Sequence, residues 1–267
     1  MTRHVPAPCR NASTAFPGVT DGDPVGMVSL AAEQRIHLPA LEAGWLTQTF
    51  VHWPFRPDQV QRLLPEGLTV DEYEGAAWVS FTPFLMADVR PAVLPGATPG
   101  LPTFPETNLR TYVRGPDGRD GLWFLSIEVG NPLMLAARAV GAPYNPGRLS
   151  LSHDGDVVRY SGARRGGSPS YEVAVRPGRP LTPTQRDIWL TSRWRAYTRR
   201  LGMLWETPVE HEPWPLRAAV LEHFEETVTR AAGLPPPEAE PVVHFSEGVR
   251  RVRMGASRPL SPSRPAH

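Results

Sequence analysis

The sequence predicts a mainly β fold with short helices, a mostly antiparallel sheet that closes or folds over itself. Two observations lead there. Short β-branched and aromatic runs recur at hairpin spacing, separated by turn dipeptides. The helical runs between them are brief, whereas a doubly wound α/β fold needs a long helix between most strands. A third observation is a polar strand face, a ligand-lining stripe if it points into a barrel or cleft and an ordinary outer face if it points to water. In Phe104–Arg114 one face of a strand carries Glu106, Asn108, Arg110 and Tyr112, while the other carries Thr107, Leu109, Thr111 and Val113.

Taken in order, ordered structure is expected from near Ala40. Trp45 to Trp53 is aromatic and β-branched and reads as a strand. Pro57 to Leu64 has Pro and Asp in its first turn and apolar residues at helical spacing, and Pro65 ends it. Leu68 to Tyr73 and Ala76 to Met86 are strands joined at Glu74-Gly75. A Pro/Gly loop from Arg90 to Thr103 precedes the Glu106 strand, which turns at Gly115–Gly118 and pairs with Gly121 to Val129. Leu133 to Val140 is helical and closes at Gly141. Arg148 to His153, Val157 to Ala163 and Ser170 to Arg176 are strands, and Thr184 to Thr191 is a short helix. Trp194 to Trp205 and Thr207 to Phe224 fit strand or helix, with Pro213 and Pro215 against a long helix. Residues 1–39 and 255–267 read as tails flanking one domain, 40–254.

Composition excludes several classes. The 28 basic residues are all Arg and balance 27 acidic ones to a net charge of +1, so the overall field favours neither nucleic acid nor a membrane surface. The Arg-rich C-terminal tail is read as solvated. A single Cys9 excludes internal disulfides and cysteine metal sites and points to the cytoplasm. No apolar run reaches the roughly 20 residues of a membrane span, and no signal-peptide h-region is present. GxGxxG, GxxxxGK[ST] and GxSxG are absent, and no cofactor is implied. His211 in Glu210-His211-Glu212, His52 and His153 lack the spacing of a metal pair, so no metal is expected.

The candidate site starts from the Glu106 face. Glu106 is an acid or base tuned by burial, and Arg110 is a planar fork for a carboxylate or phosphate. The structural alternative is a Glu106–Arg110 ion pair holding register on a barrel wall. In the segment Ala137–Pro146, Tyr144 either donates a hydrogen bond into the cavity or packs behind a helix C-cap, and Arg138 adds positive charge.

Five motifs, WPFRPDQVQRLLPEGLTVDEYEGAAWVSFTPFLM, FPETNLRTYVR, GAPYNPGRLSL, LTSRWRAYT and HEPWPL, together resemble the YqjF-like bacterial proteins, a family of unknown function. The resemblance runs from about Trp45 to Arg253. That family is similar in turn to acetoacetate decarboxylase, which implies an antiparallel cone-shaped barrel around a closed cavity. The decarboxylase has a buried Glu on an earlier strand, to which Glu106 is similar, and a Gly-x-Pro-Lys-Lys turn whose first Lys forms a Schiff base. The similar turn here is Gly141-Ala142-Pro143-Tyr144-Asn145, with both lysines replaced. The chain has no Lys at all, which removes the imine mechanism.

The expectation is therefore a cavity that binds a small organic acid or carbonyl compound. Glu106 and Tyr144 are the candidate proton-transfer pair, and Asn108, Arg110, Tyr112, Arg138 and Asn145 are the candidate ligand contacts. A barrel that binds or senses without turnover is the other reading. Nothing in the sequence sets an oligomeric state.

Overall fold

The sheet is laid out from β1 (Leu41–Phe55), whose β-branched and aromatic residues pair with a strand on each side. The computed structural model describes residues 28–91 and 101–260. After β1 come α1 (Pro57–Gln61), β2 (Thr69–Val70), β3 (Glu72–Tyr73), β4 (Ala76–Pro91), β5 (Phe104–Arg114) and β6 (Asp120–Val129). A 3-10 helix (Pro132–Val140) leads to β7 (Tyr144–Asp154), β8 (Val157–Arg164) and β9 (Ser170–Pro180). Then follow α2 (Gln185–Thr191), β10 (Arg195–Arg200), β11 (Met203–Glu210), β12 (Leu216–Glu226), α3 (Val228–Ala231), β13 (Val242–Met254) and β14 (Arg258–Pro259). At the Glu74-Gly75 hairpin both residues have positive φ, 54° and 73°, the conformation a two-residue turn between twisted strands requires. The two ambiguous stretches resolve as strands β10, β11 and β12.

The pairings return on themselves in two rings. One runs β5-β6-β7-β8-β9-β12-β13-β1-β4 and back to β5, nine strands. The other runs β5-β6-β10-β11-β13-β1-β4, seven strands, through the short β10–β6 and β11–β13 pairings. Five strands, β13, β1, β4, β5 and β6, belong to both. The expected single antiparallel barrel is corrected in two respects: the rings share a wall, and the sheet is mixed. β6 pairs in parallel with β7 and with β10, because each connection carries the chain back to start in the same direction as β6.

A shared wall has no solvent face, which explains why β5 is buried on both sides. Val51, Trp53, Phe81 and Leu109 face the nine-strand interior and pack with Tyr160, Tyr171, Val173 and Phe245. Phe50, Phe84, Ile127 and Val129 face the seven-strand interior and pack with Tyr144 and Trp214. The sequence period of two therefore sorts residues between two cores, not between core and water. α2 lies against the seven-strand ring, with Leu190 and Trp189 packed on Tyr112.

Residues 28–39, assigned to the tail from sequence, are fixed to the sheet by polar contacts. Trp194 Nε1 donates to the Ser29 carbonyl (2.9 Å), and Gln34 Nε2 donates to the carbonyls of Trp194 (2.7 Å) and Val209 (3.0 Å). The boundary at residue 255 moves as well, since β14 pairs with β11. The expectations for residues 1–27, 92–100 and 261–267 lie outside the described residues.

Arg193 and Arg195, from the LTSRWRAYT stretch, tie β10 to the shared wall, to β11 and to the N-terminal segment. Arg193 bridges Asp71 (3.1 Å) and Asp120 (3.0 Å) and lies 4.4 Å from the Trp189 ring centre. Arg195 contacts Glu33, Asp120 and Glu206.

Candidate functional site

The alternation of β5 puts Glu106, Asn108, Arg110 and Tyr112 on the face of the seven-strand interior. Their cross-strand neighbours on β4 are Phe84 for Glu106, Thr82 for Asn108 and Ser80 for Arg110. Across β6 they are Val129, Ile127 and Phe124; a bulge at Leu125 of β6 brings Phe124 opposite Arg110, while β5 itself alternates without interruption. All four side chains are buried.

Glu106 is 3% exposed, and burial raises its pKa to about 8. Hydrogen bonds from Tyr144 and Asn108 pull the other way without overcoming the loss of solvent. Burial and the adjacent Glu106 in turn raise the Tyr144 phenol well above its ordinary value. Tyr144 opens β7 directly after the Gly141–Pro143 turn. Gly141 has φ 87°, and a Cβ there would stand 2.7 Å from the Arg199 carbonyl oxygen, so only glycine fits this approach to β10. The Gly141–Tyr144 geometry thus places the phenol on the carboxyl group.

Arg110 is the unusual member. Among the described residues no carboxylate lies within ion-pair distance of it; its polar neighbour is Tyr112, and Glu106 lies against Tyr144 and Asn108 instead. Its guanidinium carbon is 5.5 Å from the centre of the Phe50 ring, its Nε is buried without a partner, and burial lowers its pKa. Glu106 Oε2 and Asn108 Oδ1 are also buried and unpartnered. A buried cation without a counter-ion is strongly disfavoured in a finished core. Three such unpartnered groups share one strand face.

The remaining sequence candidates fall elsewhere or are occupied. The Tyr112 hydroxyl donates to the Leu190 carbonyl (2.5 Å) and contacts Ser80 Oγ (2.6 Å) and His52 Nδ1 (3.2 Å). Arg138 is exposed, and its Nε donates to the Tyr144 carbonyl (2.6 Å), so it braces the turn from outside and does not line the interior. Asn145 follows Tyr144 on the same strand and therefore points to the opposite side. Its Nδ2 donates to Ser126 Oγ and the Pro143 carbonyl, both at 3.0 Å, beside the Glu128–Arg164 ion pair. Both are corrections to the expected ligand set.

Sequence reasoning missed the opposite part of this interior. His52, fully buried on β1, sits in register with Ser80, which is in register with Arg110. His244 on β13 lies edge-to-face with His52 at 5.5 Å and bonds Asp187 of α2 (2.9 Å). The signal available was parity: His52 shares its side of β1 with Phe50. Asp187 was visible as the partner of Thr184 in a helix-capping pair, which the structure contains. His211, by contrast, packs among Trp45, Trp194 and Trp214, and its Nδ1 donates to the Glu212 carbonyl (2.6 Å). Burial lowers its pKa to about 4. A separate cleft of about 750 Å³ opens beside residues 31–35, with Arg90, Arg250, Glu42, Glu210 and His211 in its walls. Glu106 and Arg110 are not among its lining residues.

A family described as "Uncharacterized conserved protein (COG2071)", DUF2071, matches residues 42–250. The chain belongs to the DUF2071 family. The uncharacterized protein YqjF of Bacillus subtilis (strain 168) is 35% identical over 209 residues, 76% of this chain and 86% of that protein. Among solved structures, the enduracididine biosynthesis enzyme MppR complexed with pyruvate superposes with a TM-score of 0.62 at 18% identity, covering 86% of this chain and 94% of that one. Acetoacetate decarboxylase from Legionella pneumophila superposes at 0.59 with 13% identity, covering 91% and 98%. This DUF2071 member therefore has the acetoacetate decarboxylase-like fold. Among its described residues no helix is long and apolar enough to cross a membrane.

Proposed function

We propose that this DUF2071 protein binds a small organic acid or carbonyl compound inside the seven-strand ring and converts it by acid–base chemistry without a covalent intermediate. The observation that carries the reading is Arg110, a buried guanidinium with no protein carboxylate, lying over Phe50. Its fork suits a carboxylate, and an apolar surround strengthens that bond. Glu106 lies four residues away on the same face, and its raised pKa suits proton exchange near neutral pH. Tyr144 lies against that carboxyl group and offers a phenol to a carbonyl oxygen. Support also comes from MppR, a protein of similar fold whose structure contains pyruvate.

With a keto acid bound, the ionised Glu106 takes a proton from the carbon next to the carbonyl. The C–H electron pair forms the enolate, and its oxygen charge is met by Arg110 and Tyr144. Return of the proton regenerates the ketone. With no Lys in the chain, no side-chain imine forms. The test uses pyruvate in deuterated buffer, followed by proton NMR. Expected is methyl deuteration that rises with pH through about 8, where Glu106 ionises, and that disappears in Glu106→Gln. Binding without exchange would leave a non-catalytic binding or sensing protein. No binding would remove the reading altogether.

A further inference from the structure

We infer that the same interior carries a second binding pole, His52 backed by His244 and Asp187, which accepts a hydrogen bond from a hydroxyl group on the bound acid. This rests on the reading of Arg110 as the carboxylate anchor. Its own ground is a count of protons. The Tyr112 phenol has one proton, and the Leu190 carbonyl 2.5 Å away can only accept it. Ser80 Oγ, 2.6 Å from the same phenol oxygen, must then be the donor in that contact. Its single proton is spent there, so the 2.5 Å contact between Ser80 Oγ and His52 Nδ1 takes its proton from the imidazole. His52 is completely buried, and burial, then His244 and Arg110, lower its pKa well below the ordinary value. The ring is neutral with its proton on Nδ1. Nε2 is left as a bare acceptor, and it is buried without a partner.

The elements around it keep that acceptor in place. His244 Nε2 donates to Asp187 Oδ1 (2.9 Å), while Asp187 Oδ2 accepts from Thr184 N (2.8 Å) and Thr184 Oγ1 (2.7 Å). His244 Nδ1 is likewise buried without a partner. The Phe50 ring stacks on His52 at 5.9 Å and 11°, and the same ring lies under Arg110. An apolar floor thus joins the two poles. By strand register their backbones stand two strands apart, roughly 10 Å along the wall, with both side chains against the one Phe50 ring. That span suits a short aliphatic chain with a carboxylate at one end and a hydrogen-bond donor at the other.

The surrounding charges choose the donor. His52 faces Arg110 from β5, Arg186 and Asp187 from α2, and His244 from β13. The one carboxylate among these already bonds His244 and Thr184, so an ammonium would meet arginine without a counter-charge. A neutral hydroxyl meets no such opposition. The ligand class is a short-chain hydroxy acid.

Calorimetric titration of the full chain with matched pairs tests this: hydroxypropionate against propionate and hydroxybutyrate against butyrate, each with a terminal hydroxyl. Expected is binding roughly three- to ten-fold tighter for the hydroxy member of at least one pair, the range of a single neutral hydrogen bond. His52→Leu should abolish that preference while leaving the deoxy acid bound, and Arg110→Gln should weaken both members. Equal binding of every pair, or a preference that survives His52→Leu, overturns the second pole alone. No binding of any acid overturns it together with the Arg110 reading. Nitrogen-15 NMR of histidine-labelled wild-type protein gives an answer that needs no variant. The His52 signals should show a proton on Nδ1, and a bare Nε2 that shifts with the hydroxy acid and not with its deoxy partner. A protonated Nε2 would overturn the proposal.

Discussion

Glu106 and Arg110 are four residues apart on one strand face, the spacing from which an ion pair would be drawn. In the structure they do not pair: Glu106 is held by Tyr144 and Asn108, and Arg110 lies over Phe50. The pH dependence of stability should follow. Glu106 titrates at about 8 when folded, against an ordinary 4.5. Between those values the folded protein keeps a proton that the unfolded chain releases, so its contribution to stability falls as pH rises. Urea unfolding of wild type and Glu106→Gln at several pH values should show the wild type losing ground across this window, by at most about 1.4 kcal/mol per pH unit. A pH-independent difference would place a solvated or ion-paired carboxylate at position 106. Arg110→Lys should weaken pyruvate binding by about 1–3 kcal/mol, since a point charge does not reproduce the fork. A variant that binds normally but unfolds readily would make Arg110 a structural residue.

Elements decide which side chains meet, and adjacent strand residues part company. Tyr144 and Asn145 sit where the decarboxylase resemblance implies two neighbouring functional residues, yet they enter opposite sides of β7. Asn145→Ala should therefore leave acid binding unchanged while costing about 1–2 kcal/mol through its two lost hydrogen bonds, read by urea denaturation. Tyr144→Phe should alter binding or exchange instead, and an effect of Asn145→Ala on binding of the same size would contradict the assignment. The strands themselves were legible in the sequence, because alternation and turn dipeptides are local signals. The Arg138 assignment failed because local pattern does not say on which side of the sheet a 3-10 helix lies. His52 was legible by parity, but it was weighed only as a metal ligand. The contact of residues 28–39 was hidden for another reason: Gln34 and Ser29 bind through polar groups and carry no apolar periodicity.

On the scale of the whole molecule, two rings share five strands, and this pairing of rings is not written in any local segment. Alternation marks two faces; it does not say that both are interior. Buried charge then joins distant parts of the chain. Arg193 holds Asp71 and Asp120 and stacks on Trp189, so Arg193→Ala should destabilise by roughly 1–3 kcal/mol by leaving these carboxylates with only Arg114 and Arg195. Chemical denaturation would show it, and a change under about 1 kcal/mol would mean that Arg114 and Arg195 already satisfy those carboxylates. The same accounting singles out Arg110 as the buried arginine on the seven-strand wall with no such carboxylate. A crystal of the protein soaked with pyruvate puts this to the most direct test. Density for the carboxylate is expected roughly 2.7–2.9 Å from the Arg110 guanidinium, inside the seven-strand ring beside Glu106 and Tyr144. Pyruvate bound only in the outer cleft by Arg90 and Arg250, or Arg110 found paired with a protein carboxylate, would contradict it.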